Sequence, residues 1–280
     1  MRPNKNMERD FNSRKSYRAL ALRNLGIFAG LVLAPPAQAQ DAFADAFWQF
    51  HAASGFDYSS GYYGAPKATE ILYLPVSVKA SKGPWSAKVS TGWLSVAGPA
   101  LLVDGGSADA VLGLRTSGRA RGIADINLFG GYSIEALYPY NLFVDLTARV
   151  KAPAASFAKG LGTGRWDTAF QVDVSSVFGD FMPFAQLGYK VTGSPTGFSF
   201  RNVVYGSVGA QYTWTERVTT GVSYDVRQAS LRTAATPQEG NAYVAFKLSD
   251  AWALTVYGLA GFSRNSPSAG GGLSITYRFP

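Results

Sequence analysis

From Phe47 onward the chain divides into segments of roughly ten residues in which apolar and polar side chains alternate, with turn residues between them. The stretch from Leu142 to Lys151 shows this most clearly. Leu142, Val144, Leu146, Ala148 and Val150 take one parity; Phe143, Asp145, Thr147, Arg149 and Lys151 take the other. Successive side chains of a strand point to opposite faces, so this pattern gives a strand with one oily and one charged face. A helix would place both sets on the same side.

Twelve such segments are expected, near 47–58, 70–80, 85–97, 122–133, 140–152, 166–178, 181–191, 201–214, 217–229, 240–248, 251–262 and 270–279. Connections alternate in length. Short ones fall at Ser81–Pro84, Ile134–Pro139, Gly179–Asp180, Glu216 and Ser249–Asp250; long ones centre near 62, 110, 158, 196, 234 and 266. An even number of strands with tight turns at one end and long loops at the other specifies an all-β fold, a transmembrane antiparallel up-and-down β-barrel of about 12 strands.

The charges agree with lipid on the oily side. Asp57, Lys79, Lys88, Asp125, Asp145, Arg149, Lys151, Asp167, Asp173, Lys190, Asp225, Arg227, Lys247 and Arg278 all take the opposite parity. Only Glu70 has outward parity, at a long-loop end. On the oily face aromatics gather at the segment ends. The short-turn end has Trp85, Tyr132, Tyr140, Phe178, Phe181, Trp214, Trp252 and Phe279; the long-loop end has Tyr58, Trp93, Tyr189, Tyr224 and Phe262. Rings with an apolar body and a polar tip settle at headgroup depth, which predicts two girdles.

The front of the chain reads differently. Met1 to Arg23 holds seven basic and two acidic residues, followed by the apolar run Leu25–Ala34 and then Pro35-Pro36-Ala37-Gln38-Ala39. A basic lead, a short apolar stretch and an A-x-A site predict a signal peptide over 1–39, with the mature barrel at 40–280 beginning at Gln40. Ten apolar residues cannot cross a bilayer core that needs about 20. The leader carries most of the basicity. The full chain has 26 basic and 18 acidic residues; without the leader's seven and two, its net charge of +8 becomes +3. Nucleic acid is therefore not an expected partner. With no cysteine, the chain has neither a disulfide framework nor a thiolate metal site.

A search for catalytic chemistry returns little. His51 is the only histidine and has lumen parity, while Ser54 has the other. The twelve-stranded outer-membrane phospholipases need His and Ser two apart on the lipid face. Gly160-Leu161-Gly162-Thr163-Gly164 precedes a strand rather than opening a helix, so it reads as a loop and not a phosphate cradle. No catalytic residue, metal site or cofactor is expected. The candidate solute path is the charged face: Asp145, Arg149, Lys151, Asp173, Asp225 and Arg227. Gln at both Arg149 and Lys151 is expected to move ion preference without disturbing the wall. Arg115, Arg119 and Arg121 stand beside the long-loop rim, where lipopolysaccharide phosphates would meet them.

Three stretches resemble the outer-membrane barrel family of transporters that includes proteins of the meta-pathway of phenol degradation. They are Gly122–Leu128, Val150–Pro153 continuing to Lys159–Asp167, and the closing Ser274–Phe279. The family's short polar Thr-Gly stretch is replaced here by Ala154-Ala155-Ser156-Phe157-Ala158. The last strand, with Gly271, Leu273, Ile275, Tyr277 and Phe279 on one face, resembles the signal read by barrel-assembly machinery, although Pro280 follows the terminal aromatic. The resemblance implies passage of small molecules, aromatic or hydrophobic ones among them, across an outer membrane. A closed structural or surface-interaction barrel is the alternative.

Overall fold

The computed structural model describes residues 47–99, 103–105, 108–111, 118–195 and 197–280. The expected leader and its cleavage point lie outside the described residues, as does much of the Gly98–Arg121 loop, Arg115 included.

Fifteen strand segments follow one another: β1 (Gln49–Gly61), β2 (Thr69–Lys82), β3 (Trp85–Ala97), β4 (Val103–Gly105), β5 (Ala108–Val111), β6 (Arg119–Ile123), β7 (Ile126–Ser133), β8 (Phe143–Ala152), β9 (Asp167–Ser175), β10 (Phe181–Val191), β11 (Val203–Thr215), β12 (Val218–Arg227), β13 (Gln238–Lys247), β14 (Trp252–Gly261) and β15 (Ala269–Arg278). The short β4 and β5 pair only with each other. The rest form one sheet. Apart from β6 and β7, which both pair with β3, each strand pairs antiparallel with its neighbours in sequence, β1 pairs with β15, and the ring is therefore closed. Closure satisfies the backbone groups that an edge would expose to hydrocarbon.

Segments β6 and β7 both pair with β3, one above the other, so they form a single interrupted stave. Twelve staves result, as the alternation predicts. The interruption at Ala124-Asp125 is a local exchange of partners. Ala124 N–H still donates to Gly92 O at 2.9 Å, while the Asp125 carboxylate turns to accept from Ala155 N–H at 2.9 Å.

The expected short connections are tight. Gly83 (φ 51°) and Gly179 (φ 63°) take left-handed conformations that a side chain would strain. The longer one is a 3-10 helix, Glu135–Tyr140, ended by left-handed Asn141. The Asn141 side-chain amide donates to Val177 O at 2.7 Å, fastening this turn to the next.

The two faces differ as expected of a barrel in lipid. Leu187, Val208 and Val222 are each about 60 % exposed, and Phe143, one residue off the oily parity of β8, is 1 % exposed. All thirteen aromatics assigned to the girdles are exposed, from 38 % at Tyr58 to 79 % at Tyr140. A soluble protein does not leave such a surface to water. Inside, rings lie over glycines of neighbouring staves. A Cβ at Gly221 would come within 2.3 Å of the Tyr243 ring, so glycine is what lets that ring lie against the wall.

Candidate functional site in the barrel lumen

The loop after β8 does not extend away from the rim; it folds inward. Its one short element, the 3-10 turn Phe157–Lys159, is capped by Ser156, whose Oγ accepts from Lys159 N–H. Leu161 (2 % exposed) and Ala155 are buried with Tyr63, Ile71, Tyr73, Leu94 and Val96 near the long-loop end. Ile71, Tyr73, Leu94 and Val96 share the lumen parity of β2 and β3, so the apolar cluster lies inside the barrel. Gly162 allows the approach: a Cβ there would stand 2.8 Å from Ala155 Cβ and 3.1 Å from an Asp125 oxygen. The Gly160–Gly164 stretch is a loop, as its position before a strand implies.

A buried ion cluster fixes this loop. Lys151 Nζ lies 2.8 Å from Asp167 and 3.2 Å from Asp125, and donates to Thr163 Oγ1 at 3.1 Å. The Lys151 side chain is fully buried. Asp167 in turn accepts from Gly193 N–H at 2.8 Å, which ties in the following long loop. Three adjacent staves thus supply carboxylate, ammonium and carboxylate: the interrupted β6–β7 stave through Asp125, β8 through Lys151 and β9 through Asp167. This corrects the expectation that Lys151 is exchangeable for Gln without consequence for the wall. Its charge is committed to two buried carboxylates.

The other candidate residues fall into register. Cross-strand partners share a face, and one rung of the ladder runs Ser133, Asp145, Asp173, Gln186, Ser207, Asp225, Glu239 across seven staves. Each acid on it is held by neighbours. Ser133 donates to Asp145, and Gln171 Nε2 reaches both Asp173 oxygens at 2.7 and 2.8 Å. Asp225 accepts from Asn241 and from Ser223 Oγ at 3.0 Å. Glu239 pairs with Arg227 at 3.4 Å. Arg149 stands four residues from Asp145 on β8, on a different rung.

Glu239 is an addition to the sequence-derived set. The predicted strand starts at residue 240, whereas the observed one starts at Gln238 and brings Glu239 into the lumen. The proximity of Glu239 to the strand start was the only signal available. His51 and Ser54 are on opposite faces, with the Ser54 hydroxyl donating to Pro75 O at 3.1 Å. Arg119 pairs with Glu70 at 3.4 Å on the exposed outer rim, and Arg121 is exposed beside it.

No family model matches the sequence, and no curated protein matches it. Solved structures do. The COG4313 outer membrane channel from Pseudomonas putida F1 aligns with TM-score 0.63 at 12 % identity, over 82 % of this chain and 95 % of that one. The KdgM porin aligns with TM-score 0.51 at 9 % identity, over 81 % and 99 %. The same porin in complex with disordered oligogalacturonate gives 0.53 at 8 % identity, over the same shares. At such identities what is shared is the fold, that of outer-membrane channel and porin barrels.

Proposed function

We propose that this chain is a passive outer-membrane channel for small molecules. The observation that carries the reading is the pairing of an apolar outer wall with an inner face bearing charges of both signs. A polar inner face of mixed charge is what barrels with a water-filled path carry, although here Arg149, Lys151, Asp173 and Arg227 are themselves packed among neighbouring side chains. The structural likeness to an outer membrane channel and a porin supports the same reading. An aromatic or hydrophobic solute is implied by the resemblance of Gly122–Leu128 and Lys159–Asp167 to the transporter family. The leader over 1–39 would export the chain, the terminal strand would engage barrel-assembly machinery, and Arg119 with Arg121 would meet lipopolysaccharide phosphates at the rim.

One feature favours the closed barrel instead: the inward loop carrying Leu161 occupies part of the long-loop mouth. Single-channel recording separates the two. Purified, refolded protein in a planar bilayer should give discrete, reproducible current steps. A folded protein with no steps would establish a closed structural or surface-interaction barrel.

A further inference from the structure

Near the long-loop mouth, two rungs of the lumen face carry no charge across three staves. Ile71 partners Val96, which partners Ala120; Tyr73 partners Leu94, which partners Gly122. Partners on one rung share a face, so this is an apolar patch on the inside of the barrel. Ile71, Tyr73, Leu94 and Val96 are nevertheless buried. Apolar groups on the wall of a wet lumen favour whatever covers them.

Two loops supply the cover, from opposite sides of the patch. Tyr63 comes from the connection between β1 and β2, and Leu161 from that between β8 and β9. Both are buried in one cluster with the four wall residues. Around the ring, β2, β3 and the β6–β7 stave separate β1 from β8, and the two loops close over them. The chain beside β11 behaves differently. Arg201 N–H donates to Ser230 O at 2.9 Å and Gln228 N–H to Val204 O at 3.0 Å, which prolongs the β11–β12 ladder beyond its strand ends. Those segments extend the wall, whereas the Tyr63 and Leu161 loops leave it.

Each loop is fastened independently. Tyr63 takes a left-handed conformation, φ 46°, which a bulky residue keeps only where its surroundings enforce it. Gly64 N–H donates to Arg264 O at 2.8 Å, the Asn265 amide donates to Tyr63 O at 3.4 Å, and the Tyr63 hydroxyl donates to Ser59 Oγ at 3.0 Å. The ring is thereby turned into the lumen. On the other side Lys151 and Asp167, paired at 2.8 Å, clamp the two ends of the Leu161 loop. The seat beneath Leu161 is cut to fit, since a Cβ at Gly122 would stand 2.8 Å from Leu161 Cδ1.

We propose that these two loops, seated on the apolar patch, form the constriction that sets the size of solute the channel admits. Leu161 and Tyr63 are its specificity-determining residues. They act by holding the loops down against the wall through apolar burial, and an apolar narrowing also resists filling by water. The proposal rests on the channel reading.

Liposome swelling in a pentose, a disaccharide and a trisaccharide, with single-channel recording in potassium chloride, tests it. Uncharged sugars report size and not charge. Gly122→Leu drives a wedge under the loop without touching any ion pair, and Leu161→Ala removes the anchor from the loop itself. Each should raise the unit current severalfold and admit sugars that the unmodified barrel retards. Leu161→Ala alters no wall residue, so it keeps the test decisive if Gly122→Leu does not fold. Folded variants with the unmodified current and the unmodified sugar series overturn the constriction and leave the channel standing. A silent unmodified barrel whose variants conduct supports the constriction and overturns the open channel. Silence from all of the folded proteins overturns both.

Discussion

Lys151→Met is expected to destabilise the barrel by about 3–5 kcal/mol, because it leaves two buried carboxylates without their shared cation. Lys151 Nζ is within 3.2 Å of both Asp125 and Asp167, and these acids also hold the backbone of Ala155 and Gly193. Loss of the ammonium therefore loosens two loops as well as one ion cluster. The urea midpoint of refolded protein in micelles should fall well below that of the unmodified chain. Adding Asp125→Asn and Asp167→Asn should recover much of the loss, since neutral amides tolerate burial without a counter-charge. Lys247→Met is the control: Lys247 pairs with Asp250 at 2.6 Å in an exposed turn, and its loss should leave the midpoint nearly unmoved. An unchanged midpoint for Lys151→Met would show that the cluster does not hold the wall.

The second large effect lies on the outer face. Leu146→Arg places a cation toward lipid near the middle of β8, where the penalty is about 2–4 kcal/mol. Val144→Arg should act in the same direction, more weakly in proportion to its nearness to the short-turn end. Thr147→Arg adds its charge to the lumen and should be tolerated. In a heat-modifiability gel, the Leu146→Arg protein should lose most of its folded band while Thr147→Arg keeps it. Equal folded fractions for the two would mean that β8 does not alternate between lipid and lumen.

The wall was legible in the sequence because its physics is local. On β8 alternation alone separates Leu146 from Thr147, and the same rule placed the outward rings of Trp85, Trp214 and Trp252. The solvent differs on the two sides of each strand, so every residue reports its own side. The interior was less legible. Asp125, Lys151 and Asp167 were assigned to the lumen by parity, but their convergence depends on the register of three staves. A long-loop segment of mostly small residues gave no sign that Leu161 turns inward, although an isolated leucine between glycines is a weak hint of burial. The acidic rung was likewise invisible. It emerges only when Asp145 is known to face Asp173. Register across a sheet is set by the closed ring and the turns, not by any one strand.

The channel reading stands or falls on whether current flows through this lumen. The chain has no cysteine, so a single one can be introduced without background. Thr147→Cys and Leu146→Cys are neighbours in the chain, and they face the lumen and the lipid respectively. With each variant conducting in a planar bilayer, a charged, membrane-impermeant methanethiosulfonate reagent is added during recording. The current through the Thr147→Cys protein should change in discrete steps as single barrels react, and the Leu146→Cys current should not change. A change at Leu146→Cys, or none at Thr147→Cys, would contradict conduction through the lumen described here.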